Sequence, residues 1–294
     1  MMHMETQQKL WQYDRKIFGN SVVRLKPNKN SLEDEKKNFI RVLCIFIEKL
    51  NLEILQFMGR PKSDIKIILK SLLIMSYHGY SYRRAKYDFE QMQKDDLIVS
   101  IPPRSTLNDY ANQRSLIKLL EKLIQASSLF FRENENTLVM DSTWFGIRMY
   151  SGGYRKVYDK KSTSLEKCRK LHIAVAKNSK IITYAKATFG TVHDSPIFRK
   201  LVRKSVRNGF NITDVIADAG YSSKKNYAIC KGLGIRNVFI DFRSNAGSKR
   251  GKSDIWRDQW RIFKEQPDIW HESYRFRVVI EGVFSAIKRK NINW

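Results

Sequence analysis

The sequence predicts an α/β fold, a mixed β-sheet with flanking helices, preceded by an all-α N-terminal region. Two observations predict this division. Before about residue 130, apolar residues recur at helical spacing between Ser, Gly and Pro turn signals. Beyond residue 135, short apolar runs of strand length alternate with helical segments. We therefore expect a helical region over residues 1–130 and an α/β domain over residues 135–294.

The net charge is the unusual quantity. The chain has 294 residues, with 55 Lys and Arg against 29 Asp and Glu, which gives a formal net charge of +26. A surface this positive repels itself unless it meets a polyanion, and each neutralised phosphate of nucleic acid releases condensed counterions. Nucleic acid is therefore the leading partner, ahead of an anionic membrane and of a structural role on ribosomal RNA.

The apolar runs argue against a membrane protein. The longest, Phe39–Ile47 and Ile65–Tyr77, are interrupted by Lys or Arg and fall short of the roughly 20 apolar residues that a spanning helix needs. The first residues lack a signal-peptide pattern. Cys44, Cys168 and Cys230 are too few and too scattered for a disulfide framework or a zinc site. We expect no membrane partner and a cytoplasmic protein associated with the nucleoid.

Four helices are predicted in the first region, each beginning near a serine. They run from Ser31 to Phe57, from Asp64 to His78 with Gly79 as the stop, from Ser81 onward, and from Ser105 to Phe130. Basic side chains on these helices, among them Arg83, Arg84 and Arg104, are candidate DNA contacts. Short helices with clustered cations fit a helix-turn-helix-like DNA-binding unit. They fit an ordinary helical bundle with a solvated basic face equally well.

The second region is predicted to contain five strands and three helices. In chain order these are strands at Thr137–Met140, Leu171–Ala176 and Ile181–Ala187, a helix at Asp194–Val206, a strand at Ile212–Ala217, a helix at Lys224–Leu233, a strand at Asn237–Phe242 and a helix at Tyr274–Lys290. This is the element order of the ribonuclease H-like fold. The analogy bears on architecture and does not by itself establish a function.

Two aspartates directly follow predicted strands. Asp141 follows the first strand and Asp218 follows the fourth, with turns expected at Ser142 and Gly220. Open sheets place their ligands at the carboxyl ends of strands. If the two strands are adjacent, the carboxylates repel one another, and Mg²⁺ or Mn²⁺ with its preference for hard oxygen ligands would remove that repulsion. The alternative is that each Asp caps the turn after it; two acids at equivalent positions favour the site.

Four polar residues lie on one stripe of the last predicted helix: Tyr274, Arg277, Glu281 and Lys288. The apolar residues of that helix, which would pack on the sheet, fall on its opposite side: Phe276, Val279, Ile280, Val283 and Ile287. A solvated face with weak Arg–Glu pairs is the alternative. This alternative does not explain why a tyrosine stands at position 274 and a lysine at position 288.

The stripe carries a resemblance to a known family. Its spacing resembles the Y-(2)-R-(3)-E-(6)-K signature of the IS4 and IS5 groups of bacterial and archaeal insertion-sequence transposases. Two residues separate Tyr274 from Arg277, three separate Arg277 from Glu281, and six separate Glu281 from Lys288, so every residue type and spacing matches. Other parts of residues 138–290 resemble the two catalytic Asp motifs and two accompanying patches: Asp141–Thr143, Ala217–Tyr221, Lys170–His172 and His193–Ser195. The short gap from Asp218 to Glu281 leaves no room for a large inserted domain, which favours the IS5-like branch.

The resemblance implies a DDE transposase in which Asp141, Asp218 and Glu281 are catalytic and hold two Mg²⁺ or Mn²⁺ ions. The implied reaction hydrolyses a phosphodiester at the transposon end and then uses the freed 3′-OH to attack target DNA. Tyr274, Arg277 and Lys288 would hold DNA phosphates. The implied partners are the terminal inverted repeats, the target DNA and a second copy in an active homodimer. His193 is either a donor behind the metal ligands or a structural histidine.

Some expectations stay open. Relatives continue past the lysine with further helix, whereas this sequence ends at Trp294, so truncation at the C-terminus and loss of activity is one expectation. The segment Arg243–Arg261, with Trp256 and Trp260, is either a loop lining a DNA channel or a linker with two packed tryptophans. The rival functions are a metal-dependent nuclease of the same fold, an inactive DNA-binding remnant, and a basic RNA-binding protein.

Overall fold

The computed structural model describes residues 32–50, 63–79, 81–146, 168–242 and 254–290. Its contacts divide the chain into two compact units, Met1–Leu116 and Ile117–Trp294. The domain boundary that the sequence analysis put at residues 130–135 stays a prediction. No helix among the described residues is both long enough and apolar enough to cross a membrane.

The described part of the first unit is built from helices. They are α1 (Leu32–Lys49), α2 (Ile65–His78), α3 (Tyr82–Lys94), α4 (Arg104–Ala111) and the start of α5 (Arg114–Ser128). The carboxylate of Asp64 caps α2 by accepting from the Lys66 amide at 2.9 Å, and Gly79 ends it in the left-handed region at φ 63°. Apolar residues of α1 to α4, including Ile68, Ile74 and Phe89, form the core of this unit.

One predicted helix of this region is wrong. The helix expected from Ser105 to Phe130 is two helices, because the chain breaks at Asn112 and Gln113 between α4 and α5. Ser105 lies inside α4, where Pro103 takes the N-cap position instead. The predicted start at Ser31 and end at Phe57 lie outside the described residues.

The second unit contains a five-stranded mixed sheet, as predicted. Its strands are β1 (Thr137–Gly146), β2 (Cys168–Ala176), β3 (Ile182–Phe189), β4 (Asp214–Ala217) and β5 (Asn237–Ile240). The spatial order is β3-β2-β1-β4-β5. The pairs β1–β2 and β2–β3 are antiparallel, whereas β1–β4 and β4–β5 are parallel. A helix precedes β4 and another precedes β5, which supplies the crossovers that parallel pairing requires.

Helices flank this sheet. They are α6 (Ser195–Arg207), α7 (Lys224–Gly232), α8 (Asp254–Glu265), α9 (Pro267–Tyr274) and α10 (Val278–Lys290). Alternate residues of a strand point to opposite faces of a sheet. Leu138 and Met140 of β1 join one cluster, with Phe198 of α6, on what we call the α6 face. Val139 joins a second cluster, with Ile280 of α10, on the α10 face.

The strand β1 is longer than the sequence predicts. It continues through Asp141 to Gly146, so the turn expected at Ser142 is wrong and Asp141 lies inside the strand. The reason is the neighbouring strand, because β2 pairs with β1 as far as the Gly146–Cys168 partners and holds it extended. Asp218 lies where it was predicted, directly after β4 and before a 3₁₀ turn at Ala219–Tyr221.

The predicted helix Tyr274–Lys290 is also wrong as a single element. Tyr274 ends α9, a 3₁₀ turn spans Arg275–Arg277, and α10 begins at Val278. Trp270 of α9 is buried in the α6-face cluster, whereas Ile280 of α10 is buried in the α10-face cluster. A single straight helix could not bury both. Glu281 consequently lies in the first turn of α10 and not in the middle of a helix.

The helix α8 was not predicted and occupies the end of the segment that was expected to be a loop or linker. Residues 243–253 of that segment lie outside the described residues. Trp256 on α8 is 6% exposed, and its ring meets those of Tyr227 and Phe242 edge-on at 5.0 and 5.2 Å. Trp260 meets Phe242 in the same way at 4.9 Å. The interpretation of the tryptophans as packed residues is confirmed.

Candidate active site

The two aspartates occupy equivalent places on neighbouring strands. Met140 of β1 pairs with Ala217 of β4, so Asp141 and Asp218 are the next residue on each strand. Val139 and Ile216 belong to the α10-face cluster, and the alternation of side chains therefore assigns both acids to that face. The backbone of Asp218 remains extended, at φ −69° and ψ 160°, so the alternation holds past the end of β4.

Arg277 connects Asp141 to Glu281. Its Nη1 donates to Asp141 Oδ2 at 3.1 Å, and its Nη2 donates to Glu281 Oε1 at 3.0 Å. Arg277 comes from the 3₁₀ turn before α10 and Glu281 from the first turn of α10, so the break in the predicted helix positions both. Arg277 keeps 29% of its side chain exposed, which leaves room for a further partner.

The charges of these groups act on one another. Burial raises the pKa of Asp141 above its usual value; the Ser142 amide and Arg277 oppose this, while the charges of Asp218 and Asp194 add to it. For Arg277, burial lowers the pKa, but the charges of Tyr274, Asp141, Asp218 and Glu281 outweigh it and raise the pKa overall. One guanidinium thus balances a concentration of negative charge.

The other predicted DNA contacts have different surroundings. Tyr274 is half-buried against the apolar clusters of both faces, and burial, followed by the charge of Asp241, raises the pKa of its phenol. Lys288 is exposed on α10. Arg83, Arg84 and Arg104 are exposed on α3 and α4 of the first unit.

Asp194 gathers a second polar network, which the sequence analysis did not find. Its Oδ1 accepts from Ser142 Oγ at 2.6 Å, its Oδ2 accepts from Lys170 Nζ at 2.9 Å, and His172 Nδ1 lies 3.2 Å from Oδ1. The only sequence signal was the pair of patches containing Lys170, His172 and Asp194, which the fold brings into contact. His193, the residue considered from the sequence, is exposed.

The hydrogen bonds of this network lower the pKa of Asp194. Burial raises the pKa of Asp194, but the hydrogen bonds from His172, Lys170 and Ser142 outweigh it and hold the pKa well below its usual range. Tyr221 is buried beside the site, where burial and then the charges of Asp194, Asp141 and Asp218 raise the pKa of its phenol. The charges of the network and of both aspartates therefore act on the same phenol.

The donor set fits a hard divalent cation. Asp141, Asp218 and Glu281 offer carboxylate oxygens only, which is the chemistry that Mg²⁺ and Mn²⁺ prefer. Arg277 already bridges two of the three acids as a cation would. Within the described ranges, no three His, Cys, Asp or Glu side chains are arranged closely enough to hold a metal ion. Arg277 occupies carboxylate oxygens of Asp141 and Glu281 that an ion would use.

A comparison with protein families decides the kinship. The model of the family described as Transposase DDE domain matches residues 132–294, more than half of the chain. The chain belongs to this transposase family. The matched DDE domain contains the Asp141–Arg277–Glu281 bridge, Asp218 and all of the network around Asp194.

Two solved structures are similar to the chain at a distance. The Drosophila P element transposase strand transfer complex shares 15% identity at a TM-score of 0.30, over 69% of this chain and 42% of that one. The piggyBac transposase synaptic complex with hairpin DNA shares 12% identity at a TM-score of 0.30, over 83% of this chain and 54% of that one. This chain therefore spans about half the length of each. No curated protein matches it.

Proposed function

We propose that the chain is an insertion-sequence transposase of the IS4/IS5 type, in the IS5-like branch, with Asp141, Asp218 and Glu281 as its catalytic residues. The observation that carries the proposal is that Asp141 and Asp218 follow paired residues of two neighbouring strands, while Arg277 joins Asp141 to Glu281. Membership of the transposase DDE domain family supports it. The four-residue signature from Tyr274 to Lys288 supports the choice of branch.

We further propose a ribonuclease H-like catalytic domain over residues 135–294 and a DNA-binding helical region over residues 1–130. The strand order β3-β2-β1-β4-β5, with three antiparallel strands followed by two parallel ones, supports the first assignment. The exposed Arg83, Arg84 and Arg104 support the second. The proposed partners are the terminal inverted repeats of the element and target DNA at the nucleoid, bound by a homodimer.

In the proposed reaction the three acids hold Mg²⁺ or Mn²⁺. When bound, two such ions would activate a water at the element end and the freed 3′-OH in the joining step, and would stabilise the leaving 3′ oxygen in each. Arg277 and Lys288 hold the DNA backbone: the fork of Arg277 can contact a phosphate through two donors, and Lys288 supplies a point charge. Tyr274, packed between the two clusters, fixes the start of the turn that carries Arg277.

Two variants separate chemistry from binding. Glu281→Gln keeps the size of the side chain and removes its charge, so cleavage and strand transfer in Mg²⁺ should be abolished while affinity for the element end is retained. Lys288→Ala removes one phosphate contact, so the slope of log affinity against log salt should fall by about one. Some cleavage should persist at high protein concentration. The measurements are gel shifts and a cleavage and joining series, after the wild-type chain has been shown to be active.

The outcomes distinguish the rival functions. Normal cleavage by Glu281→Gln would remove Glu281 from the catalytic set. Cleavage without joining by the wild-type chain would identify a nuclease. Metal-independent DNA binding without cleavage would identify an inactive DNA-binding relative.

A further inference from the structure

Asp194 occupies a position where its ordinary role would be to cap a helix. It is the N-cap residue of α6, yet its side chain makes no capping hydrogen bond. An aspartate at this position normally accepts from an amide of the first turn. Its oxygens instead contact side chains of β1 and β2, so helix capping does not explain it.

The contacts of Asp194 reach the neighbourhood of both strand acids. Ser142, which donates to Asp194 at 2.6 Å, directly follows Asp141 on β1. On the other side, a Cβ added at Gly220 would come within 3.0 Å of Asp194 Oδ2, so this carboxylate lies against the backbone two residues beyond Asp218. One carboxylate therefore touches the segment that follows each acid.

The remaining contacts fix the carboxylate itself. Lys170 and His172 of β2 are 5% and 0% exposed in their side chains, and both lie within 3.2 Å of Asp194. His172 is held in turn by Thr188 of β3, whose Oγ1 is 3.0 Å from His172 Nε2. Lys170 also lies over the ring of Trp144, 4.5 Å from its centroid. These contacts, above all the one from the buried Lys170 ammonium, restrict the orientation of the Asp194 carboxylate.

We propose that Asp194 is a positioning residue that fixes the spacing of Asp141 and Asp218 across the β1–β4 edge through Ser142 and the Gly220 backbone. The inference rests on the function proposed above. Asp194 lies on the α6 face and does not hold the ion. Partners behind metal ligands typically change metal affinity by about 10–100-fold when they are removed. A carboxylate with a purely structural role would change stability and leave metal affinity of the folded protein unchanged.

The test uses the full chain with Mn²⁺ alone as the probe. Asp194→Asn retains an acceptor for Ser142 and loses the charge that binds Lys170, so the dissociation constant for Mn²⁺ should rise by about 10–100-fold. The half-saturating Mn²⁺ concentration for cleavage of element-end DNA should rise by the same factor. Calorimetry or electron paramagnetic resonance measures the affinity, and thermal unfolding in chelator measures the stability without metal.

A matched control exists in the same unit. Glu121 is also a largely buried carboxylate in a charged pair, accepting from Lys186 Nζ at 2.8 Å and Tyr184 at 2.9 Å, with no contact to either strand acid. Glu121→Gln should therefore lower stability and leave Mn²⁺ affinity unchanged. Should Asp194→Asn fail to fold, Ser142→Ala removes the hydrogen bond between Asp194 and the residue that follows Asp141, and should weaken Mn²⁺ binding several-fold.

Each result has a separate meaning. Unchanged Mn²⁺ affinity in folded Asp194→Asn, or in Ser142→Ala if only that variant folds, overturns the positioning role while the proposed function stands. Equal losses of Mn²⁺ affinity in Asp194→Asn and Glu121→Gln also overturn it, because the effect would then be general. A wild-type chain that neither binds Mn²⁺ nor cleaves DNA overturns the proposed function and this inference together.

Discussion

At the scale of single residues, Arg277 stabilises a group of acids that would otherwise repel one another. It contacts Asp141 and Glu281 at 3.1 and 3.0 Å, and the charge of Asp218 acts on it as well. A guanidinium does not lose its proton in a protein, so Arg277 keeps its charge at every accessible pH. In the proposed function, Arg277 pairs with the acids when no metal is bound and with a DNA phosphate when metal is bound.

Replacing Arg277 should show how much it stabilises the group of acids. Arg277→Ala should lower the free energy of unfolding in chelator by about 1–3 kcal/mol, because Asp141 loses a charged partner at a largely buried position. Mn²⁺ should then raise the unfolding temperature more in the variant than in the wild type, because the arginine no longer competes for the acids. Thermal unfolding with and without Mn²⁺ measures both effects.

The neighbouring Arg275 supplies the control. It makes an exposed pair with Glu272 at 3.7 Å and lies 5.4 Å from the ring centroid of Phe276, so Arg275→Ala should change stability little and leave the response to Mn²⁺ unchanged. An equal Mn²⁺ response in wild type and Arg277→Ala would mean that Arg277 does not compete with the ion.

At the scale of elements, two helices connect to the two ends of the sheet, one at β3 and one beyond β5. Glu121 joins α5 to β3 through Lys186 and Tyr184. Trp256 joins α8 to the loop after β5 and to α7, through Phe242 and Tyr227. The first connection is electrostatic and depends on pH, whereas the second is apolar and does not.

The Glu121 connection predicts a pH dependence of stability. Burial raises the pKa of Glu121, but the hydrogen bonds from Lys186 and Tyr184 outweigh it and hold the pKa below its usual value. A depressed carboxyl pKa contributes stability above the unfolded-state pKa, and that contribution is lost as pH falls through the folded-state pKa. The stability difference between wild type and Glu121→Gln should therefore be full above about pH 5 and shrink at lower pH. Denaturant unfolding across this range measures it; a difference that grows on acidification would contradict the assignment.

The Trp256 connection predicts a loss of stability without a loss of binding. Trp256→Ala should lower the unfolding free energy by about 3–5 kcal/mol, as is typical for a large buried aromatic residue. Trp256→Phe should cost less, because Nε1 of this buried indole has no hydrogen-bond partner among the described residues. DNA affinity per folded molecule should stay unchanged in both variants. A selective loss of affinity for single-stranded DNA would revive the base-stacking interpretation.

At the scale of the whole molecule, the positive charge acts on partners. A net charge of +26 on 294 residues favours contact with a polyanion at many points at once. The basic side chains considered as DNA contacts belong to both compact units. The charge bears on affinity and association rate and has no direct bearing on the chemistry of the acids.

Binding should therefore depend strongly on salt. Affinity for element-end DNA should fall by about 10³–10⁵ between roughly 50 and 200 mM salt, as is typical of a protein that makes many phosphate contacts. Asp218→Asn should show the same slope and no cleavage, since Asp218 is assigned to chemistry. Fluorescence anisotropy over a salt series measures the slope, and a flat response would contradict the electrostatic account.

The sequence by itself determined the features that depend on local pattern. The period of apolar residues was enough to find the five strands, and the distance from Tyr274 to Lys288 was enough to indicate a family. The apolar runs before Asp141 and Asp218 were enough to make both acids candidates. These features depend on side-chain period and residue type within a single segment, which an isolated sequence records directly.

The tertiary structure decided what depends on distant partners. The strand β1 continues past Asp141 because β2 pairs with it, and the last predicted helix breaks after Tyr274 because α9 and α10 bury side chains in clusters on opposite faces of the sheet. Asp194 reads locally as a helix cap and instead binds Lys170 and Ser142, 24 and 52 residues away. Strand pairing and packing gain free energy from contacts remote in sequence, so local propensity does not specify them.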